Sequence, residues 1–255
     1  MVEKENHTEH DKIAKEAIVT NVEKFGCHLA LIDSNGYLPA FAYSIGLYKN
    51  YGHPEIITFG LKTNVMGHLL NYARDEIKKG MAFKQGPTYS GFLEGYKIQF
   101  LNVDKEYYPD YFGYAGWYYK NSWDFPAIEL IWPDKENRWP WEDSFNEHWK
   151  YKQPLLDRNI DFKFYEPKNL GVYTTHHVLE GNPKLYVYHN DDGDWQFHSE
   201  QYPNPDDAKL VCLSDLVERD STLNLIHHIG YGYNAWRETS KSEWNIEKDE
   251  DDTEE

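Results

Sequence analysis

One polar cluster in the first quarter of the sequence has residue types suited to acid–base chemistry. His53 and Glu55 flank Pro54, and an imidazole and a carboxylate at this spacing could act together as general acid and base. Pro54 also fixes the backbone where the next strand begins, and the sequence offers no third catalytic partner. We therefore favour a structural interpretation, in which His53 and Glu55 bond to loop backbone.

The cysteines and the other histidines form no recognisable nucleophilic or metal-binding motif. Cys27 and His28 are neighbours on a predicted strand, so their side chains point to opposite faces, and we expect Cys27 to be a small buried residue. The adjacent pairs His176-His177 and His227-His228 would diverge for the same reason, and no Cys-x-x-Cys or His-Glu-x-x-His string is present. The sequence thus predicts no catalytic residue and no metal site.

Two loops have parts of ligand-binding motifs but are better explained as turns. The segment 191–194, Asp-Asp-Gly-Asp, lacks the downstream glutamate of a calcium-binding loop. The segment 230–233, Gly-Tyr-Gly-Tyr, lacks the third glycine of a dinucleotide-binding loop. Aspartate and glycine both favour turns, so we expect neither loop to hold an ion or a phosphate.

The charge of the chain excludes one class of partner. Its 255 residues include 26 basic and 43 acidic side chains, a formal net charge of −17. Nucleic-acid binding needs clustered Lys and Arg, so no nucleic-acid partner is expected. An acidic surface suits a basic protein partner, or serves solubility alone. No signal peptide and no membrane-spanning stretch is apparent, which predicts a cytoplasmic location and no membrane partner.

Hydrophobic periodicity and turn signals predict a first α+β domain at 18–150, after a polar segment at 1–17. Its sheet is expected to be mixed or antiparallel, with a split barrel as one form of it. The clearest helix is predicted at 64–79, where apolar residues recur at helical spacing. Strands are predicted at 25–32, 39–47, 55–61, 96–103 and 127–132.

A smaller α+β domain is predicted at 172–244, after a linker at 151–171 that contains two prolines and little periodicity. Its strands are expected at 184–188, 194–198 and 209–213, with a helix at 214–228. The last residues, 245–255, are rich in Asp and Glu. Such a run of like charge repels itself and predicts a disordered acidic tail.

The first predicted domain resembles the bacterial domain-of-unknown-function family 4262 over about residues 18–150. The resemblance rests on Phe-Ala-Tyr-Ser-Ile-Gly-Leu at 41–47, Gly-His-Pro-Glu at 52–55, Ile-Trp-Pro-Asp at 131–134 and Trp-Pro-Trp at 139–141. That family implies no activity that could be transferred to this chain.

The second predicted domain is similar to the domain-of-unknown-function family 2185. The similarity rests on Asp-Trp-Gln-Phe at 194–197 and Ala-Trp-Arg at 235–237. Members of that family are associated with immunity to bacterial polymorphic toxins. The resemblance implies a cytoplasmic protein that neutralises a toxin or another effector.

The leading functional hypothesis is therefore a non-enzymatic immunity-type protein that occludes a basic toxin or effector and needs no cofactor. The contact residues expected from aromatic and charged character are Asp194, Trp195, Arg237, Tyr118, Tyr119 and Trp123. The alternative is a split-barrel protein that binds flavin or another small molecule, with an oxidoreductase as one form of this hypothesis. A homodimer is a third hypothesis, because the aromatic segment 107–125 suits an interface as well as a core.

Overall fold

The computed structural model describes the backbone of residues 2–249 and the side chains of residues 11–249. The chain divides into two units, which are described separately. The first contains the residues up to 34 and 39–160, and the second contains 35–38 and the residues from 161 onward. The predicted α+β class is confirmed for both, and neither sheet closes into a barrel.

The first unit has one six-stranded mixed sheet, in the order β1-β2-β3-β6-β5-β4. Its strands are β1 (His28–Ile32), β2 (Phe41–Ile45), β3 (Glu55–Phe59), β4 (Thr88–Leu93), β5 (Tyr96–Asn102) and β6 (Ala127–Ile131). Only β3 and β6 pair in parallel, with Glu55 opposite Ala127. Both strands are fully buried, as expected for central strands covered on both faces.

Helices cover both faces of this sheet. They are α1 (Val2–Phe25), α2 (Leu47–Tyr51), α3 (Thr63–Lys78), α4 (Tyr108–Tyr111) and α5 (Gly113–Tyr118), with 3-10 turns at Lys105–Tyr107 and Glu147–Lys152. One core contains Leu69 and Leu70 of α3 with Ile56 and Ile128 of the sheet. The other is aromatic and contains Tyr43, Phe59, Tyr108, Phe112 and Phe125. Alternating strand residues supply the two cores because successive side chains point to opposite faces.

The second unit has its own six-stranded mixed sheet, in the order β10-β7-β9-β8-β11-β12. Its strands are β7 (Gly171–Thr175), β8 (Leu185–His189), β9 (Trp195–His198), β10 (Ala208–Cys212), β11 (Tyr233–Arg237) and β12 (Asn245–Lys248). Its helices are α6 (His176–Leu179) and α7 (Leu213–Arg219), with 3-10 turns at Pro205–Asp207 and Ser221–Ile226. Only β7 and β9 pair in parallel.

A single core, on one face of the second sheet, holds this unit together. It contains Val172, Val187 and Phe197 of the sheet, with Leu213 and Leu216 of α7. Tyr37, which belongs to this unit, donates from its hydroxyl to Glu166 Oε2 at 2.9 Å. Glu166 Oε1 accepts from Trp195 Nε1 at 2.8 Å. Glu166 therefore ties the short segment 35–38 to the core.

The observed segments differ from the predicted boundaries in two places. The predicted linker at 151–171 belongs to the two units, with Leu156 in the aromatic core of the first and Phe162 and Phe164 in the core of the second. The predicted tail begins with β12, which pairs with β11 from Asn245 to Lys248, and its remainder, 250–255, lies outside the described residues. Between residues 2 and 249, no helix has the length and apolar character needed to cross a membrane.

Candidate binding cleft

The strands of the second unit leave one face of their sheet without a covering helix. In β8, Leu185, Val187 and His189 are buried, whereas Tyr186 and Tyr188 alternate with them on the opposite face. In β9, Trp195 and Phe197 face the core and Gln196 lies between them. This alternation places aromatic and polar side chains together on the open face.

The open face forms a cleft of about 1410 Å³, which we call the sheet cleft. All of its lining residues belong to the second unit. They are Tyr186, Tyr188, Asn190, Asp191, Gln196, His198, Gln201, Tyr202, Pro203, Gly232, Asn234, Ala235, Trp236, Glu247, Lys248 and Asp249. The cleft thus combines four large aromatic side chains with amides and carboxylates.

The aromatic side chains of the sheet cleft differ in how firmly they are held. Tyr188 donates to the carbonyl oxygen of Gln201 at 2.8 Å, which fixes the loop after β9 against the sheet. Burial, assisted by the charge of Asp249, raises the pKa of Tyr188 to about 12, so the hydroxyl keeps its proton and remains a donor. Tyr202 is 84% exposed and is free to pack on a ligand.

Two polar side chains that line the sheet cleft have an acceptor atom without a hydrogen-bond partner. His198 Nε2 donates to Gln196 Oε1 at 3.1 Å, which leaves Nδ1 as an acceptor, and this atom has no partner. Burial lowers the pKa of His198 and favours this neutral ring. Asn234 Oδ1 also has no partner. A buried acceptor without a donor costs about 1–3 kcal/mol, which a donor-rich ligand would recover.

The charged residues of the sheet cleft are mainly acidic. Asp191, Glu247 and Asp249 line it, against the single cation Lys248. Asp191 lies close to the backbone at Gly232, where an added Cβ would come within 2.6 Å of Asp191 Oδ1. Between residues 161 and 249, sixteen acidic and eight basic residues occur. The negative charge of this segment therefore attracts a cationic ligand.

The three predicted contact residues of the second unit lie outside this cleft. Asp194 is exposed, and its backbone NH donates to Asp192 Oδ1 at 3.2 Å in the turn between β8 and β9. Trp195 and Arg237 are each 1% exposed. The structure places these two residues in the core, and neither therefore presents a surface that a partner could reach.

Arg237 makes several side-chain contacts on the buried face of the second sheet. Its guanidinium forms an ion pair with Asp220 and donates to the hydroxyl of Thr222, and it stacks over the ring of Trp244 at 4.6 Å from the centroid. The charge is therefore paired, as burial of an arginine requires. This arrangement stabilises the end of α7 against β11.

The predicted aromatic contacts of the first unit also have structural partners. Tyr119 donates to Glu55 Oε1 at 2.6 Å, and Tyr118 accepts from Lys49 Nζ at 3.0 Å. Trp123 lies against the backbone of Gly116, where an added Cβ would meet the indole at 2.3 Å. All three are partly buried at the edge of the aromatic core.

Glu55 is a fully buried carboxylate that is saturated with hydrogen-bond donors. Its Oε2 accepts from Ser44 Oγ at 2.5 Å, and its Oε1 accepts from Tyr119 and from the backbone NH groups of Gly46 and Tyr48 at 2.8 and 3.1 Å. Burial raises the pKa of Glu55 although these donors lower it. The carboxylate fixes the turn from β2 into α2, and its oxygens are already occupied.

His53 does not contact Glu55 through its ring. Its Nδ1 lies 2.7 Å from the carbonyl oxygen of Pro54, and its Nε2 accepts from the backbone NH of Phe83 at 3.0 Å. Both ring nitrogens therefore bond to backbone, and burial lowers the pKa of the ring. The structure does not bring His53 and Glu55 together as an acid–base pair.

A second cavity, of about 410 Å³, lies in the first unit. Phe41, Tyr43, Tyr111 and Trp117 contribute to its lining. Its one lining cation, Lys15, is paired with Asp11 at 2.6 Å. A flavin nucleotide would require charged donors for its phosphate, and the one cation among the described lining residues of this cavity is already paired with a carboxylate.

The comparisons with known proteins support one of the two predicted resemblances. Residues 21–146 match the model of a family described as Domain of unknown function (DUF4262), which confirms the resemblance of the first unit to that family. No curated protein and no solved structure matches the chain. The similarity of the second unit to family 2185 stays a prediction.

Sequence reasoning missed the residues of the sheet cleft, although one signal for them was present. The alternation Leu-Tyr-Val-Tyr-His at 185–189 is typical of a strand with one aromatic face away from the core. Trp236 had no comparable signal, because β11 is short and β12 lay within the predicted tail. The two strands complete the cleft only through pairing, of β11 with β8 and of β12 with β11.

Proposed function

We propose that this chain is a non-enzymatic binding protein, whose second unit captures a basic segment of a partner protein in the sheet cleft. In this proposal the captured partner is a bacterial toxin or another effector in the cytoplasm, and binding neutralises it by occlusion. The observation that carries the proposal is the uncovered, aromatic and acidic face of the second sheet.

The size of the sheet cleft supports a macromolecular ligand. Pockets for small molecules measure about 300–1,000 Å³ and enclose most of the ligand, whereas this cleft measures about 1410 Å³. Tyrosine and tryptophan are the side chains most often found as anchors in protein interfaces. An extended polypeptide segment laid across Tyr186, Tyr188 and Trp236 fits these features.

The polar groups of the sheet cleft support a basic ligand. Asp191, Glu247 and Asp249 would pair with Lys or Arg, and the acceptors His198 Nδ1 and Asn234 Oδ1 would accept from N–H donors. Long-range attraction to the acidic second unit would also accelerate association at low salt. Neither feature suits an anionic ligand such as a flavin nucleotide.

The test is native mass spectrometry of the chain purified gently from its own host, with Trp236→Ala prepared in parallel. The matched control is Trp141→Ala, since Trp141 lies in the first unit and is 37% exposed. The proposal predicts a stoichiometric second polypeptide with the wild type and the control, and its loss with Trp236→Ala. It also predicts weaker binding at high salt.

Two outcomes would overturn the proposal. A mass increment of flavin size on an otherwise single chain would instead support the small-molecule alternative. A partner retained equally by Trp236→Ala, with the variant shown to be folded by circular dichroism, would place the interface outside the sheet cleft.

A further inference from the structure

The pairing of β7 with β10 brings two distant parts of the second unit together. The strands are antiparallel, with Thr175 opposite Ala208. His176 and His177, which follow β7, therefore lie beside Asp207, which precedes β10. The juxtaposition is fixed by strand register and not by flexible loops.

The three side chains offer a nitrogen–nitrogen–oxygen donor set. One ligand atom from each of His176, His177 and Asp207 can be chosen so that all lie within 4.8 Å of one another. The two imidazole rings have centroids 3.8 Å apart, and His176 Nδ1 is hydrogen-bonded to Asp207 Oδ1. The adjacent histidines converge because the chain leaves β7 and turns into α6 between Thr175 and His177.

The three residues line a cavity of about 420 Å³ that contains further oxygen atoms. Thr175 also lines it, is 4% exposed, and its Oγ1 has no hydrogen-bond partner. Glu200 and Asp206 add two carboxylates to the lining. An unpartnered buried hydroxyl beside three carboxylates and two imidazoles favours a bound cation or its water ligands.

We propose that His176, His177 and Asp207 form a binding site for a divalent transition-metal ion, of which Zn²⁺ is the probe used here. Two imidazoles and a carboxylate are a donor set that Zn²⁺ and Fe²⁺ both accept, with open positions left for water. Bonds of about 2.0–2.2 Å require the ligand atoms to approach more closely than 4.8 Å. Rotation of the exposed His177 side chain supplies that movement.

Metal binding at this site replaces the hydrogen bond between His176 and Asp207. Each neutral imidazole binds the ion through one ring nitrogen and keeps its single N–H on the other, and Asp207 binds as the carboxylate anion.

The metal site adjoins the sheet cleft without forming part of it. An intermediate cavity shares His177, Ser199 and Glu200 with the metal cavity, and it shares Tyr186 and Gln201 with the cleft. The proposal goes beyond the protein-binding function and does not depend on it, since the ligands of the ion all come from this chain.

The test is titration of the untagged, chelator-treated full chain with Zn²⁺ by isothermal calorimetry, in the absence of any partner. The wild type is expected to bind one Zn²⁺ per chain. His177→Ala and Asp207→Asn are each expected to bind Zn²⁺ at least tenfold more weakly than the wild type. His148→Ala is the control, since His148 is an exposed histidine of the first unit, and it is expected to bind as the wild type does.

His177→Ala decides the matter if Asp207→Asn alters folding, because His177 is exposed and its removal leaves the His176–Asp207 bond intact. Zinc binding of equal affinity in wild type and His177→Ala, or no binding by the wild type, would overturn the proposal.

Discussion

The buried side chain of Glu129 makes the stability of the first unit depend on pH. It lies in the middle of β6 and is fully buried, with Ile57 and Leu101 opposite it on the neighbouring strands. Its Oε2 accepts from the backbone NH of Leu156 at 3.0 Å, and its Oε1 has no partner. Burial raises the pKa of Glu129 well above its ordinary value of 4.5.

The sign of the effect follows from proton uptake. Between the ordinary pKa and the raised one, the folded chain keeps a proton that the unfolded chain has released. The carboxylic acid therefore contributes stability below pH 4.5, and this contribution is lost as pH rises towards the folded pKa. The slope is about 1.4 kcal/mol of unfolding free energy per pH unit.

Glu129→Gln removes this dependence, because the amide has the shape of the acid, carries no charge and still accepts from Leu156. We expect the difference in unfolding free energy, variant minus wild type, to grow by about 3 kcal/mol over two pH units within that window. Urea unfolding at several pH values between 5 and 8 measures it, with Glu94→Gln, an exposed glutamate of the same unit, as control. A difference that is independent of pH would refute the reasoning, since it would mean that Glu129 is ionised in the folded chain.

Three further predictions concern other buried groups. Arg237→Ala should lower the free energy of unfolding of the second unit by about 3–5 kcal/mol in urea, because it leaves Asp220 without its buried partner; an unchanged midpoint would show that Arg237 is not a core residue. Gly46→Ala should lower the free energy of unfolding of the first unit by about 1–3 kcal/mol, measured by thermal unfolding, because Gly46 has φ +104° and an added Cβ would meet Val22 at 2.7 Å. Wild-type stability of the variant would contradict this backbone geometry. Cys27 should resist thiol reagents at pH 8 until urea unfolds the first unit, because it is 3% exposed and burial is the main cause that raises its pKa to about 12. Rapid labelling of Cys27 in the native protein, detected by mass spectrometry, would contradict this prediction.

Elements with a strong local signal in the sequence lie close to their predicted positions. The helix predicted at 64–79 is α3, Thr63–Lys78, where apolar side chains recur every three or four residues. The central strands β2, β3 and β6 lie within their predicted ranges, since each is a short apolar run bounded by turn residues. The helix predicted at 214–228 is interrupted at Asp220, whose carboxylate accepts from Thr222 NH and starts a 3-10 turn.

The rest depended on contacts between distant residues. β4 was missed because Gly91 and its exposed neighbours give no apolar alternation. The convergence of His176 and His177 with Asp207 was missed because adjacent histidines were expected to diverge on a strand, whereas the strand ends at Thr175. Trp195 was predicted as a contact residue, but its partner Glu166 and the stacked ring of His189, at 3.9 Å, lie elsewhere in the sequence.

The most direct test of the proposed binding function is site-specific photocrosslinking from the sheet cleft. Tyr202→p-benzoylphenylalanine places the reactive group at an 84% exposed position of the cleft, and Tyr151→p-benzoylphenylalanine places it at a 41% exposed position in the first unit. Irradiation in the native host should give one crosslinked partner, a basic polypeptide, from position 202 only. Crosslinks of the same partner from position 151 alone, or none from position 202 with a co-purifying partner present, would contradict the assignment of the sheet cleft as the binding surface.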